Sequence, residues 1–268
     1  DTELGLKVYL ERFHDKCDQM PEGVVLRLTE GCGLPPREPV SHKYSYGRAL
    51  IIGGKTGFSG APILAANACE RSGAGLTHLM VPESIYPVAA MKCDGAVVTP
   101  LKASDTGSIA EAAENEVLSE LEHASAACPL VLDADALTVC GRNMSILRDC
   151  RAPVILTPHE GEFKRLGGDL SEGRLKGALK FTEAYPNVIL ILKGYGTLVC
   201  TGRDVSVNAT GGPAMAKGGS GDVLCGILCA LLAQGFNPLD SARCGAWLHG
   251  LAGELAAAEY GEYPVAPS

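Results

Sequence analysis

Three things are missing from this chain, and each absence closes off a class of function. There is no excess of positive charge: 23 lysines and arginines stand against 31 aspartates and glutamates, for a net charge of −8. A general nucleic-acid binder carries a basic face, so no nucleic-acid partner is expected. A phosphate ligand remains open, because backbone N–H groups and a few local cations can hold one whatever the global sign. There is no apolar run near the roughly 20 residues of a membrane-spanning helix, and no signal-peptide pattern. No membrane partner is therefore expected, and the expected location is the cytoplasm. There is also no CxxC pair, internal repeat or low-complexity tract. The eleven cysteines stand singly, mostly inside apolar stretches, and read as small buried hydrophobes in a reducing compartment. Cys225 and Cys229 are four apart on a predicted helix but lack further ligands, so no metal-binding set is identified.

What remains is an ordinary globular composition, 46% hydrophobic and 20% charged over 268 residues, long enough to bury a core without disulfides. Residues 1–46 lack strong periodicity and read as a lead-in segment packed on one domain that runs from 47 to 268. Within that domain, short continuous apolar runs alternate with helical stretches. The runs are Ala49-Leu50-Ile51-Ile52, Leu76-Thr77-His78-Leu79-Met80-Val81, Ala96-Val97-Val98, Leu130-Val131-Leu132, Val154-Ile155-Leu156 and Val188-Ile189-Leu190-Ile191-Leu192. The helical stretches include 60–73, 109–126 and 173–184, and two final helices fall at about 221–234 and 240–259. Continuous rather than alternating hydrophobicity marks strands buried on both faces, as in parallel sheets. Strand–helix alternation then predicts βαβ units in an α/β fold. The stretch 197–208 differs and predicts an antiparallel hairpin around Thr201-Gly202-Arg203-Asp204. In open α/β sheets ligands sit beyond the carboxyl ends of the strands, which directs attention to the residues just after each run.

The strongest motif is Asn208-Ala209-Thr210-Gly211-Gly212-Pro213-Ala214-Met215-Ala216-Lys217-Gly218-Gly219-Ser220-Gly221-Asp222. A glycine-rich turn runs straight into an apolar helix. Absent side chains let backbone N–H groups approach a phosphate, and the helix N-terminus supplies about half a positive charge. An aspartate in the first turn can take a proton from a hydroxyl as that hydroxyl attacks phosphorus. The plainer alternative is a glycine loop with Asp222 as an ordinary helix-start residue. The length of the string, with Asn-x-Thr-Gly ahead of Gly-Gly-Ser-Gly-Asp, favours the chemical reading.

This string resembles the anion-hole and catalytic-base signature of the ribokinase-like superfamily. Within it, the chain is similar to the ATP/ADP-dependent NAD(P)H-hydrate dehydratases. Further segments agree in order: Ser41-His42-Lys43 with Tyr46-Gly47-Arg48; Ile52-Gly53-Gly54-Lys55-Thr56-Gly57-Phe58-Ser59-Gly60-Ala61; Arg71-Ser72-Gly73-Ala74-Gly75-Leu76; Leu132-Asp133-Ala134-Asp135-Ala136-Leu137; Thr157-Pro158-His159-Glu160-Gly161-Glu162; Lys193-Gly194 with Thr197; and Trp247-Leu248-His249-Gly250-Leu251-Ala252-Gly253. The resemblance implies a ribokinase-like three-layer α/β sandwich, its mostly parallel central sheet flanked by helices. It also implies nucleotide-dependent dehydration of hydrated NAD(P)H, a carbon–oxygen lyase reaction used in metabolite repair, with Mg2+ as cofactor and ADP ahead of ATP as donor.

Residue by residue, the resemblance makes Asp222 the general base and assigns Gly218, Gly219, Ser220 and Gly221 to the phosphoryl group. Lys193, Gly194, Tyr195, Gly196 and Thr197, with Gly221, would contact the nucleotide. Ala61, His159 and Asp222 would contact the hydrate, with Asn208 and Asp133 in support. Plainer alternatives stand beside several of these. Lys193 could be a solvated surface charge, His159 a cap for the following helix, Ala61 simple helix packing, and Asn208 a residue bonded to its own turn. Asp133 and Asp135 could position a loop or a metal-bound water, and His249 reads as a core histidine. The family also implies a homo-oligomer, with a tetramer open, and a functional pairing with an NAD(P)H-hydrate epimerase; the leading 40 or so residues are too few for such a domain. One departure is visible: the Gly-Pro-Gly-Leu-Gly turn of the family is absent between 99 and 128, which reads as a loop and one helix. Two rival readings share the motif. One is a kinase of a small hydroxylated metabolite of the thiazole or hydroxymethylpyrimidine type, and the other a non-catalytic nucleotide-binding module.

Overall fold

A computed structural model of the chain describes residue 15 and residues 23–29, 31–113 and 128–267. In chain order the elements begin with β1 (Val25–Thr29), β2 (Arg48–Ile52), α1 (Gly60–Arg71), β3 (Leu76–Pro82), α2 (Tyr86–Lys92) and β4 (Val97–Leu101). Next come β5 (Leu130–Leu132), α3 (Ala134–Arg142), α4 (Ser145–Asp149), β6 (Val154–Leu156), α5 (Glu160–Arg165) and α6 (Arg174–Ala184). The chain continues through β7 (Val188–Leu192), β8 (Leu198–Thr201), β9 (Asp204–Asn208), α7 (Ser220–Ala233) and α8 (Pro238–Tyr260). The strands group into two compact units. One takes the described residues of Asp1–Gly33, Ala127–Ala214 and Pro238–Tyr263, and the other those of Leu34–Ala126, Met215–Asn237 and Pro264–Ser268.

The first unit holds a six-stranded sheet in the order β1-β9-β8-β7-β6-β5. Its β5, β6 and β7 are parallel, β8 and β9 form the expected antiparallel hairpin with β8 also antiparallel to β7, and β1 adds in parallel beside β9. Period-two alternation assigns the faces. Val188, Leu190, Leu192, Val205 and Val207 join one apolar core with Leu137, Phe163, Leu175, Leu179 and Phe181 of α3, α5 and α6. On the opposite face Asn208 donates to Ala246 O, and Arg243 Nε donates to Ser206 Oγ at 2.7 Å, so α8 covers that side. All five residues of β7 are buried, which is why its run reads as continuously apolar. Each such aliphatic side chain contributes about 1.5–3 kcal/mol.

The second unit holds the all-parallel sheet β2-β3-β4. Ile63 and Ala66 of α1 pack on Leu79 and Val81 of β3. Helices α1 and α7 lie close together because Gly226 has no side chain: a Cβ there would sit 2.2 Å from Ala65 O. With five of seven strand pairings parallel and helices against the sheets, the fold is the expected mixed α/β type.

Two elements depart from expectation. β1 lies in the stretch before residue 47, where the sequence predicts no strand. It is an edge strand five residues long, with Leu26 buried and Val25 exposed, and so short an alternation gives little periodic signal. The helix expected over 109–126 shows one 3-10 turn at Glu111–Ala113, and its remainder from 114 lies outside the described residues, as does the second half, up to 127, of the stretch lacking the Gly-Pro-Gly-Leu-Gly turn. A third departure is covalent. Cys32 and Cys244 are joined as a disulfide, their Cα atoms 5.1 Å apart, whereas the sequence reads every cysteine as a thiol. That reading relied on local apolar context, and 212 residues separate these two.

Candidate active site

In the first unit three parallel neighbours, β5, β6 and β7, end on one edge of the sheet, and the expected residues follow directly. Asp133 comes after β5, Thr157, Pro158 and His159 after β6, and Lys193 after β7. The backbones of His159 and Lys193 form an isolated parallel bridge, with Lys193 N–H donating to Pro158 O at 2.9 Å. Lys193 Nζ donates to Asp133 Oδ1 at 2.8 Å and lies 3.9 Å from Glu162 Oε2. With its side chain only 22% exposed and two carboxylates around it, Lys193 is not a solvated surface charge. Ala134, beside Asp133, has φ 49°, the one positive value outside glycine among the described residues. Strain of this kind gathers at functional sites.

His159 is the N-cap of α5. Its Nδ1 accepts from Gly161 N–H at 3.0 Å and Glu162 N–H at 3.3 Å, while Glu162 Oε2 accepts from His159 N–H at 2.9 Å. This reciprocal capping box leaves the neutral ring's proton on Nε2, which lies 3.5 Å from Glu162 Oε2. The plainer capping role is therefore present, yet the side chain is 56% exposed and can still meet a ligand. Glu162 is missed by sequence reasoning: a histidine in the cap position hides the usual Ser/Thr-x-x-Glu signature.

The loop after Lys193 is tied by Thr197, whose Oγ1 accepts from Gly194 N–H at 3.3 Å and donates to Gly194 O at 3.0 Å. Tyr195 stands exposed at its tip. Asn208, at the end of β9, is buried, and its amide donates to Thr210 O and Ala246 O while Oδ1 lies 3.0 Å from Thr210 Oγ1. It anchors the start of the glycine-rich segment to α8. Gly211 N–H continues that anchoring to Glu254 Oε1 at 2.8 Å.

In the second unit the glycine-rich segment turns into α7. Gly219 is the N-cap with φ 98°, a conformation that glycine adopts without penalty. Its neighbour Ser220 donates Oγ to Met215 O at 2.8 Å, fixing the turn. Asp222 is the third residue of the helix, in the turn where the macrodipole favours negative charge. Contacts between α1 and α7 run in order, Leu64 with Gly219, Ala65 with Gly226 and Ser72 with Gln234. The two helices are thus parallel, and Ala61 and Asp222 share their N-terminal end. No group of three His, Cys, Asp or Glu residues that could hold a metal occurs among the described residues. A magnesium ion would have to be held chiefly by nucleotide phosphates and water, its usual mode. No helix among the described residues is long and apolar enough to cross a membrane.

A mixed α/β fold with a glycine-rich turn opening a helix and an aspartate in its first turn is the arrangement that the ribokinase-like resemblance implies. Comparison with known proteins agrees. A ribokinase-like superfamily protein of Enterococcus faecalis is 26% identical with a TM-score of 0.74, covering 93% of each chain. The ADP/ATP-dependent NAD(P)H-hydrate dehydratase of Bacillus subtilis, co-crystallised with ATP and Mg2+, is 27% identical with a TM-score of 0.74, over 92% of this chain and 95% of that one. The bifunctional NAD(P)H-hydrate repair enzyme of Moorella thermoacetica is 35% identical over 258 residues, 85% of this chain and 48% of its own length. The model of the NAD(P)H-hydrate dehydratase family matches residues 49–268. This chain belongs to that family. It spans about half the length of the curated relatives it matches.

Proposed function

We propose that the domain of residues 47–268 dehydrates NAD(P)H hydrate at the expense of ADP or ATP. The observation that carries this is the turn through Gly218, Gly219, Ser220 and Gly221, delivering Asp222 into the first turn of α7. Asp222 accepts the proton of the hydrate's hydroxyl. The oxygen attacks the terminal phosphorus of the nucleotide, and the bond from that phosphorus to the shortened nucleotide breaks. Loop N–H groups and the helix N-terminus offset charge on the transferring group. The ring nitrogen's lone pair then expels phosphate, and loss of a proton from the adjacent carbon restores the dihydropyridine. In this reading Ala61 and His159 contact the hydrate, while Lys193, Gly194, Tyr195, Gly196 and Thr197 contact the nucleotide. Asp133 holds Lys193 and Asn208 the glycine-rich segment. ADP is the preferred donor, and the protein acts as a homo-oligomer beside an epimerase that interconverts the two hydrate forms. A cytoplasmic setting belongs to the same reading. It is supported by the buried thiols of Cys69, Cys93, Cys140 and Cys200 and opposed by the Cys32–Cys244 disulfide.

The test is recovery of reduced-nicotinamide absorbance from purified hydrated NADH, with Mg2+ and either ADP or ATP. Recovery with one nucleotide establishes the reaction and its donor together. A stable phosphorylated product from a small alcohol, with no recovery from the hydrate, would assign the site to a kinase instead.

A further inference from the structure

Arg174 belongs to none of the motifs above, yet its side chain ends beneath the 193–197 loop. The geometry points to Arg174 as the positioning residue for that loop, holding its backbone in the form that receives the nucleotide; this rests on the nucleotide reading of the loop given above. Arg174 is the first residue of α6, and its own backbone is fixed. Its N–H donates to Asp15 Oδ1 and that of Leu175 to Asp15 Oδ2, both at 2.9 Å. From there Nη1 donates to Tyr195 O at 2.7 Å and Gly196 O at 3.3 Å, and Nη2 to Leu192 O at 3.0 Å. Nε lies 3.2 Å from Glu160 Oε1, in the residue next to His159. One planar fork therefore spans two loop carbonyls and the carbonyl that ends β7, and lies beside the start of α5, with the side chain only 15% exposed.

The loop is shaped around this group. Gly194 has φ 152°, and a Cβ there would lie 2.9 Å from Nη2 and 3.2 Å from Cζ. The peptides are trans, and in a trans peptide the carbonyl and the following N–H point opposite ways. Turning the carbonyls of Tyr195 and Gly196 into the guanidinium thus turns the N–H groups of Gly196 and Thr197 away from it. The loop then presents donors on its far side, the arrangement an acceptor-rich nucleotide needs. Lysine delivers one compact charge on a flexible stem and cannot span the same carbonyls.

The experiment compares wild type, Arg174→Lys, Arg174→Gln and Arg174→Ala. It measures ADP affinity by calorimetry, amide hydrogen exchange of 193–197 without nucleotide, and steady-state kinetics. In Arg174→Lys we expect ADP binding weaker by at least about tenfold, the scale of losing a charged hydrogen bond in a partly buried site. Faster exchange in the loop should accompany it, with nucleotide KM rising more than kcat or hydrate KM changes, and free guanidinium should partly restore ADP binding to Arg174→Ala. A role confined to fold stability would lower the melting temperature without that KM split or rescue. Folded Arg174→Lys and Arg174→Gln that bind ADP within about twofold of wild type, with loop exchange unchanged, overturn the proposal. Wild type that binds no ADP, or binds it as well after Lys193→Ala, removes the nucleotide reading instead. The exchange data alone then decide whether Arg174 orders the loop.

Discussion

Asp222 occupies a position where structure and chemistry ask for the same charge, and substitution can separate the two. As the third residue of α7 it interacts with the helix dipole by about 0.3–1 kcal/mol, so Asp222→Asn keeps the fold nearly intact. If it is the general base, the same change lowers kcat at least about a hundredfold. Near-wild-type turnover in a variant of unchanged melting temperature would remove it from that role. The buried cysteines answer first to burial, with nearby carboxylates adding to it and a hydroxyl partner working against it at Cys69 and Cys200. Desolvation raises Cys69 and Cys93 from 9.0 to about 11 and Cys200 to about 12. At pH 8 a thiol near 9 is about one-tenth thiolate and one near 11 about one part in a thousand. Titration with a disulfide reagent at pH 8 should therefore label exposed Cys128 first, with Cys69, Cys93 and Cys200 silent until unfolding. The folded protein keeps these protons to about pH 11 or 12, whereas the unfolded chain releases them near 9.0. The stability this adds is intact below pH 9 and declines as the pH climbs towards 11; early labelling of Cys200 in native protein would contradict it.

At the scale of elements, the glycine of α7 sets the spacing to α1. A Cβ at Gly226 would meet Ala65 O at 2.2 Å and Cys69 N at 2.9 Å. Both are backbone atoms, so no rotamer change relieves the clash and the helices must part. Gly226→Ala should cost about 1–3 kcal/mol, the usual range for an overpacked interface. Calorimetry should show this as a melting temperature lower by roughly 2–10 °C for a protein of this size; an unchanged value would mean the helices are not in contact there. Such contacts also explain what the sequence discloses. β7 is legible because all five of its residues are buried, and the turn into α7 because its glycines and Asp222 are adjacent in the chain. β1 is hidden because half of its short alternation faces outward. Arg174 and Glu162 are hidden for another reason: each acts on backbone or charge that only the fold brings near. Arg174 meets a loop some twenty residues on, and Glu162 reaches Lys193 across two strand ends.

At the scale of the molecule, the Cys32–Cys244 bond closes a loop of 212 residues and joins the chain just after β1 to α8. Chain-entropy bookkeeping assigns a loop of that length about 5 kcal/mol, by constraining the unfolded state. The folded state already holds β1 in register with β9, and Asp204 is clasped by Arg27 and Arg243 at 2.6 and 2.7 Å. Reduction should therefore loosen the unfolded ensemble far more than the native fold. Treatment with a thiol reductant should add two titratable thiols to the denatured protein and lower the melting temperature by several degrees. Cys32→Ser should reproduce that lower temperature and abolish the response to reductant. Equal thiol counts with and without reductant would show that the bond does not form in solution. If it does form, trapping thiols by alkylation before cell lysis decides its setting: two thiols gained on later reduction place the folded protein in an oxidising compartment, and none gained places it in a reducing one where the bond closes after isolation.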